Sequence, residues 1–292
     1  YLEALKIDPC FVDALNNLGT LEFNRRYFDK AISRYDEAVG CHPEFLPAYF
    51  NRANALYETK EYYGALADLD RIEKARPDTA SVYFLRGLIF TKMRKYPEAV
   101  VAFDKALSKD STATVDLIVN KATVKYYMGL LDEAEGELQS VMKKAATEPN
   151  VFNTLAMIYA DKKQYDLAMQ HVNKALELKP GDAYFLNNRG FIYLETGRLT
   201  EAETDINQSL SADPYNPWAY RNKGIFYLQK GDLASAERLL AQALQMDSFI
   251  DKIHFYLGSV FLKGGKTDQA CEQFKLSKES GERVELPKVT CR

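Results

Sequence analysis

Between Ala183 and Ala212 the apolar positions follow one helical period, break off, and resume. Leu186, Ile192 and Tyr193 recur at helical spacing, and the run stops at Gly197. A second amphipathic stretch runs from Thr200 to Ala212 and ends near Pro214, whose ring cannot continue a helix. The pattern predicts an antiparallel helix pair. One such pair cannot bury its own apolar face, so it needs neighbours.

The neighbours are written into the chain. Alanine returns at Ala31, Ala65, Ala99, Ala134, Ala168, Ala202, Ala236 and Ala270, a spacing of 34 with a single step of 35 near Ser111–Thr114, where a slightly longer loop is expected. Twelve residues before each stands a small residue: Gly19, Ala53, Gly87, Ala122, Ala156, Gly190, Gly224 and Gly258. Four residues after each stands an apolar one: Tyr35, Leu69, Phe103, Leu138, Val172, Ile206, Leu240 and Phe274. The small columns mark where two helices approach closely, since a larger side chain there would push the axes apart. A fixed period of this length signals a helical repeat array whose stacked pairs share a continuous core.

The columns resemble the tetratricopeptide repeat family, with Gly190, Ala202, Ile206 and Pro214 in the places of that motif. Pro43, Pro77 and Pro180 close other repeats, whereas Ser111, Ala146, Ser248 and Glu282 replace the proline elsewhere, and Leu15 and His254 replace the usual aromatic early in the first helix. The resemblance implies an all-α protein, a right-handed α-solenoid superhelix of stacked antiparallel helix pairs. The expected repeats are 12–45, 46–79, 80–114, 115–148, 149–182, 183–216, 217–250 and 251–282, with a tail at 283–292. Residues 1–9 match Tyr35–Pro43, and 1–11 read as the second helix of a truncated preceding repeat. Polar Thr267 and Lys278 suit a closing helix, so the eighth repeat is expected to end the array.

In this family the first helix of each pair lines a concave groove. Carried over residue by residue, that places Asn17, Phe50, Asn51, Asn54, Tyr57, Phe84, Asn120, Tyr126, Asn153, Asn188, Phe191, Trp218, Arg221 and Asn222 on the inner face as candidate peptide-binding residues. An asparagine amide both donates and accepts, so spaced amides can hold an extended peptide backbone while aromatics hold its side chains. The column resembles the asparagine ladder of O-linked glycosyltransferase repeats. The alternative is that each amide bonds to a neighbouring helix. Asp116, Asp161 and Glu195 in the middle of the groove and Arg221, Lys252 and Lys263 near its end would steer a charged partner. The Lys, Asn and Arg set of a carboxylate clamp is absent from any three consecutive repeats.

A basic residue precedes the small residue in five repeats: Arg52, Arg86, Lys121, Arg189 and Lys223. An acid follows sixteen residues after three of them, at Asp68, Glu137 and Asp205, which predicts ion pairs inside the helix pair rather than a basic ridge.

Charge excludes one class of partner. With 38 Lys and Arg against 41 Asp and Glu, the net charge of −3 does not suit a nucleic-acid backbone. No apolar run approaches a membrane span, so membrane insertion by this chain is not expected. The three histidines lie in different repeats without metal-ligand spacing, and Gly264–Thr267 lacks the glycine and strand of a phosphate loop. Neither catalytic residues, nor a metal, nor a cofactor is expected. Cys10, Cys41, Cys271 and Cys291 form no CxxC pair. The ending from Gly264 resembles exported bacterial repeat proteins with a cysteine in the last helix and another near the terminus. That resemblance implies a Cys271–Cys291 disulfide and a periplasmic or outer-membrane-associated site, the alternatives being two separate thiols and a cytoplasmic location.

The expected function is a non-catalytic scaffold that binds an extended protein segment. The alternative is a substrate-recognition arm of a larger enzyme or assembly whose other part lies before Tyr1. Self-association through the apolar face of the first helix is a third expectation.

Overall fold

Among the described residues, 1–110 and 115–291 of a computed structural model, all regular structure is helical. A short α1 (Leu2–Ile7) leads into α2 (Val12–Asn24) paired with α3 (Phe28–Cys41), then α4 (Leu46–Glu58) with α5 (Tyr62–Ala75) and α6 (Ala80–Lys92) with α7 (Tyr96–Lys109). The series continues with α8 (Val115–Tyr127) and α9 (Leu131–Val141), α10 (Pro149–Asp161) and α11 (Tyr165–Leu178), and α12 (Ala183–Glu195) and α13 (Leu199–Ala212). It closes with α14 (Pro217–Lys230) and α15 (Leu233–Met246), and α16 (Ile253–Lys263) and α17 (Thr267–Glu279). The longer loop expected around Ser111–Thr114 lies outside the described residues, as does Arg292.

The turn inside each pair is made by one residue in left-handed backbone: Arg26, Lys60, Arg94, Gly129, Lys163, Gly197, Gly231 and Gly265. Only glycine enters that region without a Cβ penalty. Lys60 is exposed with φ 67°, so Lys60→Gly is expected to raise stability by about 0.5–1 kcal/mol, the removed strain exceeding the added chain entropy. Urea unfolding checks this, and an unchanged or lower midpoint would show that the lysine carries no strain.

Within a pair, the small column and the apolar column meet. A Cβ placed on Gly87 would sit 2.5 Å from the ring of Phe103, and one on Gly19 would sit 2.6 Å from Tyr35. Where the column holds Ala53, Ala122 or Ala156, the residue sixteen later is the smaller Leu69, Leu138 or Val172. In six repeats the two columns trade volume, glycine with an aromatic and alanine with an aliphatic, whereas Gly190 and Gly224 face the smaller Ile206 and Leu240.

The predicted ion pairs are present, and they extend between pairs. Arg52 donates to both carboxylate oxygens of Asp68 at 2.8 and 2.6 Å and reaches back to Asp36 at 2.6 Å. Lys121 lies 2.9 Å from Glu137 and 2.7 Å from Asp104. Arg189 holds Asp205 at 2.6 and 3.0 Å and the Asn173 amide at 3.0 Å. Arg86, with no acid sixteen residues ahead, turns back to Asp70 and Glu73. In these four repeats the column rivets the helix pair to the second helix of the pair before it.

The chain divides into two units, Tyr1–Lys144 and Ala145–Arg292. In the first, one cluster gathers Leu56, Leu69, Ile72, Val82 and Ile89 between α4, α5 and α6, and another gathers Phe103, Leu117 and Val124. α1 buries none of its residues, and Leu2 and Ile7 are exposed. In the second, Phe191, Leu194, Ile206, Ile225 and Phe226 form one cluster and Leu240, Ile250, Ile253 and Leu257 another. Successive first helices touch in each unit: α2, α4, α6 and α8 in one, α10, α12, α14 and α16 in the other. The backbones of successive second helices stay farther apart, with α5 and α7 joined by the Glu73–Lys105 ion pair at 3.9 Å, so each unit bends toward its first helices. That side is the inner face.

Candidate functional site

The inner face of the first unit is partly open. Asn17 is exposed, while Phe50, Asn51, Asn54, Tyr57, Phe84, Asn120 and Tyr126 are half-buried on α4, α6 and α8. The rings of Phe50, Tyr57 and Phe84 pack against the core. Phe50 and Tyr57 pack at the margin of the α4–α6 cluster, and Phe84 stands 5.9 Å from Phe103, centroid to centroid. Burial pushes the Tyr57 hydroxyl up to about 12, with Glu58 and Tyr62 adding to the shift, so the hydroxyl stays protonated. Asn51 donates to the Asn16 amide oxygen at 2.8 Å, across from α4 to α2. Asn54 and Asn120 each donate to the carbonyl four residues back, at 2.8 and 2.7 Å. An amide has capacity for more than one such bond, so these side chains are oriented without being saturated.

The second unit differs. Asn153, Asn188 and Trp218 are half-buried, but Phe191, Arg221 and Asn222 are 5%, 4% and 0% exposed. These three do not line an open groove, contrary to expectation. Asn188 donates to Asn153 at 2.9 Å and Asn222 to Asn187 at 2.8 Å, so here the column stitches α10 to α12 and α12 to α14. The Asn222 oxygen accepts two bonds from Arg221, at 3.1 and 2.9 Å, and a third guanidinium nitrogen donates to the Asp251 carbonyl at 2.9 Å. The guanidinium lies 4.8 Å from the Trp218 ring centre and 5.4 Å from that of Phe191.

Two things cover these residues. Met157 of α10 and Tyr256 of α16 pack onto the Phe191 cluster. Lys252 and Asp161, expected as separate steering charges, are joined at 3.0 Å across the face. Burial raises the Tyr256 hydroxyl far above its ordinary range, against a lowering from Arg221. The physical reason is curvature: four first helices curl until side chains of the first and fourth meet.

The structure pairs Cys271 with Cys291, Cα atoms 5.8 Å apart, and also pairs Cys10 with Cys41 at 5.5 Å. The Cys10–Cys41 pairing is additional to the one that the C-terminal resemblance implies. Its signal is the register, which puts the end of one pair's second helix beside the joint that precedes that pair. No group of His, Cys, Asp or Glu among the described residues could hold a metal ion, and no helix is long and apolar enough to cross a membrane.

Comparison with known proteins follows the same lines. Tetratricopeptide repeat models match residues 16–78, 50–114, 183–216 and 206–238, and a TPR repeat model matches 156–197. Tetratricopeptide repeat protein 12 of Mus musculus is 29% identical over 147 residues, 49% of this chain and 21% of that protein. The Hsp70-Hsp90 organising protein of Plasmodium falciparum is 26% identical over 177 residues, 58% of this chain and 25% of that protein. The alignments thus span about a quarter or less of these two relatives. The crystal structure of an APC/C hetero-tetramer superposes with a TM-score of 0.68 at 17% identity, over 93% of this chain and 54% of that one, which shows the fold. The chain belongs to the tetratricopeptide repeat family.

Proposed function

We propose that this chain is a non-catalytic scaffold that binds an extended segment of another protein along the inner face of its first unit. The observation that carries the reading is the half-exposed row of Phe50, Tyr57, Phe84 and Tyr126, interleaved with Asn17, Asn51, Asn54 and Asn120. Aromatic edges supply side-chain anchors, and oriented amides supply donors and acceptors for a peptide backbone. The relative from Plasmodium is named for organising two other proteins, which is in keeping with a binding role.

Affinity in such an interface concentrates in a few aromatic anchors. Peptides selected from a random phage library on the intact chain are therefore expected to bind Phe50→Ala and Tyr57→Ala variants about ten-fold more weakly each, at unchanged helical circular dichroism. Titration by fluorescence anisotropy reads the loss. Peptides that bind both variants like the parent would move the site off this face.

A further inference from the structure

We propose that the inner face of the second unit is held shut by a latch, the Asp161–Lys252 ion pair, and that it opens when α16 winds back through residues 250–252. The pair joins residues 91 apart, the last of α10 and the one just before α16, with Nζ to Oδ1 at 3.0 Å. The backbones of the two helices do not approach each other, so the bond spans the face from one side to the other. Both side chains are largely shielded, at 16% and 13% exposure.

The start of α16 is distorted to make this bond. In the repeat register Lys252 corresponds to Trp218 and Tyr184, which are helical residues of α14 and α12. Lys252 instead has φ 60°, and α16 begins at Ile253, two residues later than α14 does in register. α10, α12 and α14 are capped by their own Glu148, Asp182 and Asn216 side chains. α16 has no such cap. Its free N–H groups at His254 and Phe255 donate to Glu282, at 3.0 and 2.9 Å, from the tail that follows α17. The next residue, Arg283, lies 3.9 Å from Asp161 and reinforces the same carboxylate. The Cys271–Cys291 bond tethers that tail.

A left-handed lysine, a helix start two residues short and a cap borrowed from 28 residues away are unfavourable local choices that the regular repeat avoids. They persist together because one ion pair, one borrowed carboxylate and the Arg221 bond to the Asp251 carbonyl hold them. Releasing the ion pair or the carboxylate leaves the regular helical start available, with Lys252 turned away from Asp161. The face beneath, including Phe191 and Arg221, then gains access to solvent. The latch does not depend on where the first unit binds its partner.

The chain reports on the latch through its single tryptophan. Trp218 packs against the cluster containing Ile250 and Ile253, the start of α16. Acrylamide quenching of Trp218 is expected to rise about two-fold in Asp161→Asn and in Lys252→Met, as the open form passes from minor to major. Asp161→Glu, which keeps the charge, is expected to quench like the parent. Equal quenching in parent, Asp161→Asn and Lys252→Met overturns the proposal. Should both charge-removing variants lose their helical signal, hydrogen exchange on the unaltered chain decides. Faster exchange at residues 253–258 than along α14, insensitive to low denaturant, supports the latch, and equal protection overturns it.

Discussion

Arg52→Met is expected to destabilise the first unit by about 3–5 kcal/mol, because it leaves the Asp68 carboxylate buried without its counter-charge. Asp68 is 5% exposed, and Arg52 supplies both of its charge-assisted bonds. Burial raises the Asp68 carboxyl, and the Arg52 hydrogen bonds and charge pull it back down. With Arg52 gone the opposing pull is lost, and the carboxyl rises further. An acid whose folded value lies above its unfolded value binds its proton more tightly in the folded state, so stability falls as pH rises through that range. The deficit of Arg52→Met relative to the parent is therefore largest at neutral pH and narrows on acidification. Urea unfolding at pH 7 and at pH 5 tests both points. Arg52→Met combined with Asp68→Leu is expected to recover most of the loss, since no charge is then buried. A pH-independent deficit, or no recovery in the double variant, would show that Arg52 acts through packing alone.

Phe103→Ala is expected to cost about 3–5 kcal/mol through the cavity it leaves, since the ring is wholly buried against Gly87 and Leu117. The informative companion is Gly87→Ala. Its new Cβ would press on the Phe103 ring at 2.5 Å, an overpacking expected to cost about 1–3 kcal/mol. Adding Phe103→Leu recreates the Ala53–Leu69 and Ala122–Leu138 combinations that the chain already uses. The double variant is expected to be more stable than Gly87→Ala alone, with a coupling of about 1 kcal/mol or more by double-mutant cycle. Additive effects would mean that the two columns do not share one space.

These two sites belong to the part of the molecule that was legible beforehand. The spacing of Ala31, Ala65 and their successors predicts the helix pairs, and the sixteen-residue offset predicts the Arg52–Asp68, Lys121–Glu137 and Arg189–Asp205 pairs that the structure contains. Both are contacts within one repeat, where the register alone sets which residues face each other.

Contacts reaching across several repeats were not legible. Phe191, Arg221 and Asn222 hold inner-face positions like those of Phe50 and Asn51, yet they are buried, whereas Phe50 and Asn51 are half-exposed. The meeting of Asp161 with Lys252 left no column in the sequence to read. The repeat period and the residues of each column were determined by the sequence alone, because every copy restates them. Which inner face closes was decided by the tertiary structure, because small rotations between neighbouring pairs accumulate, and only their sum brings residues three repeats apart within reach of a hydrogen bond.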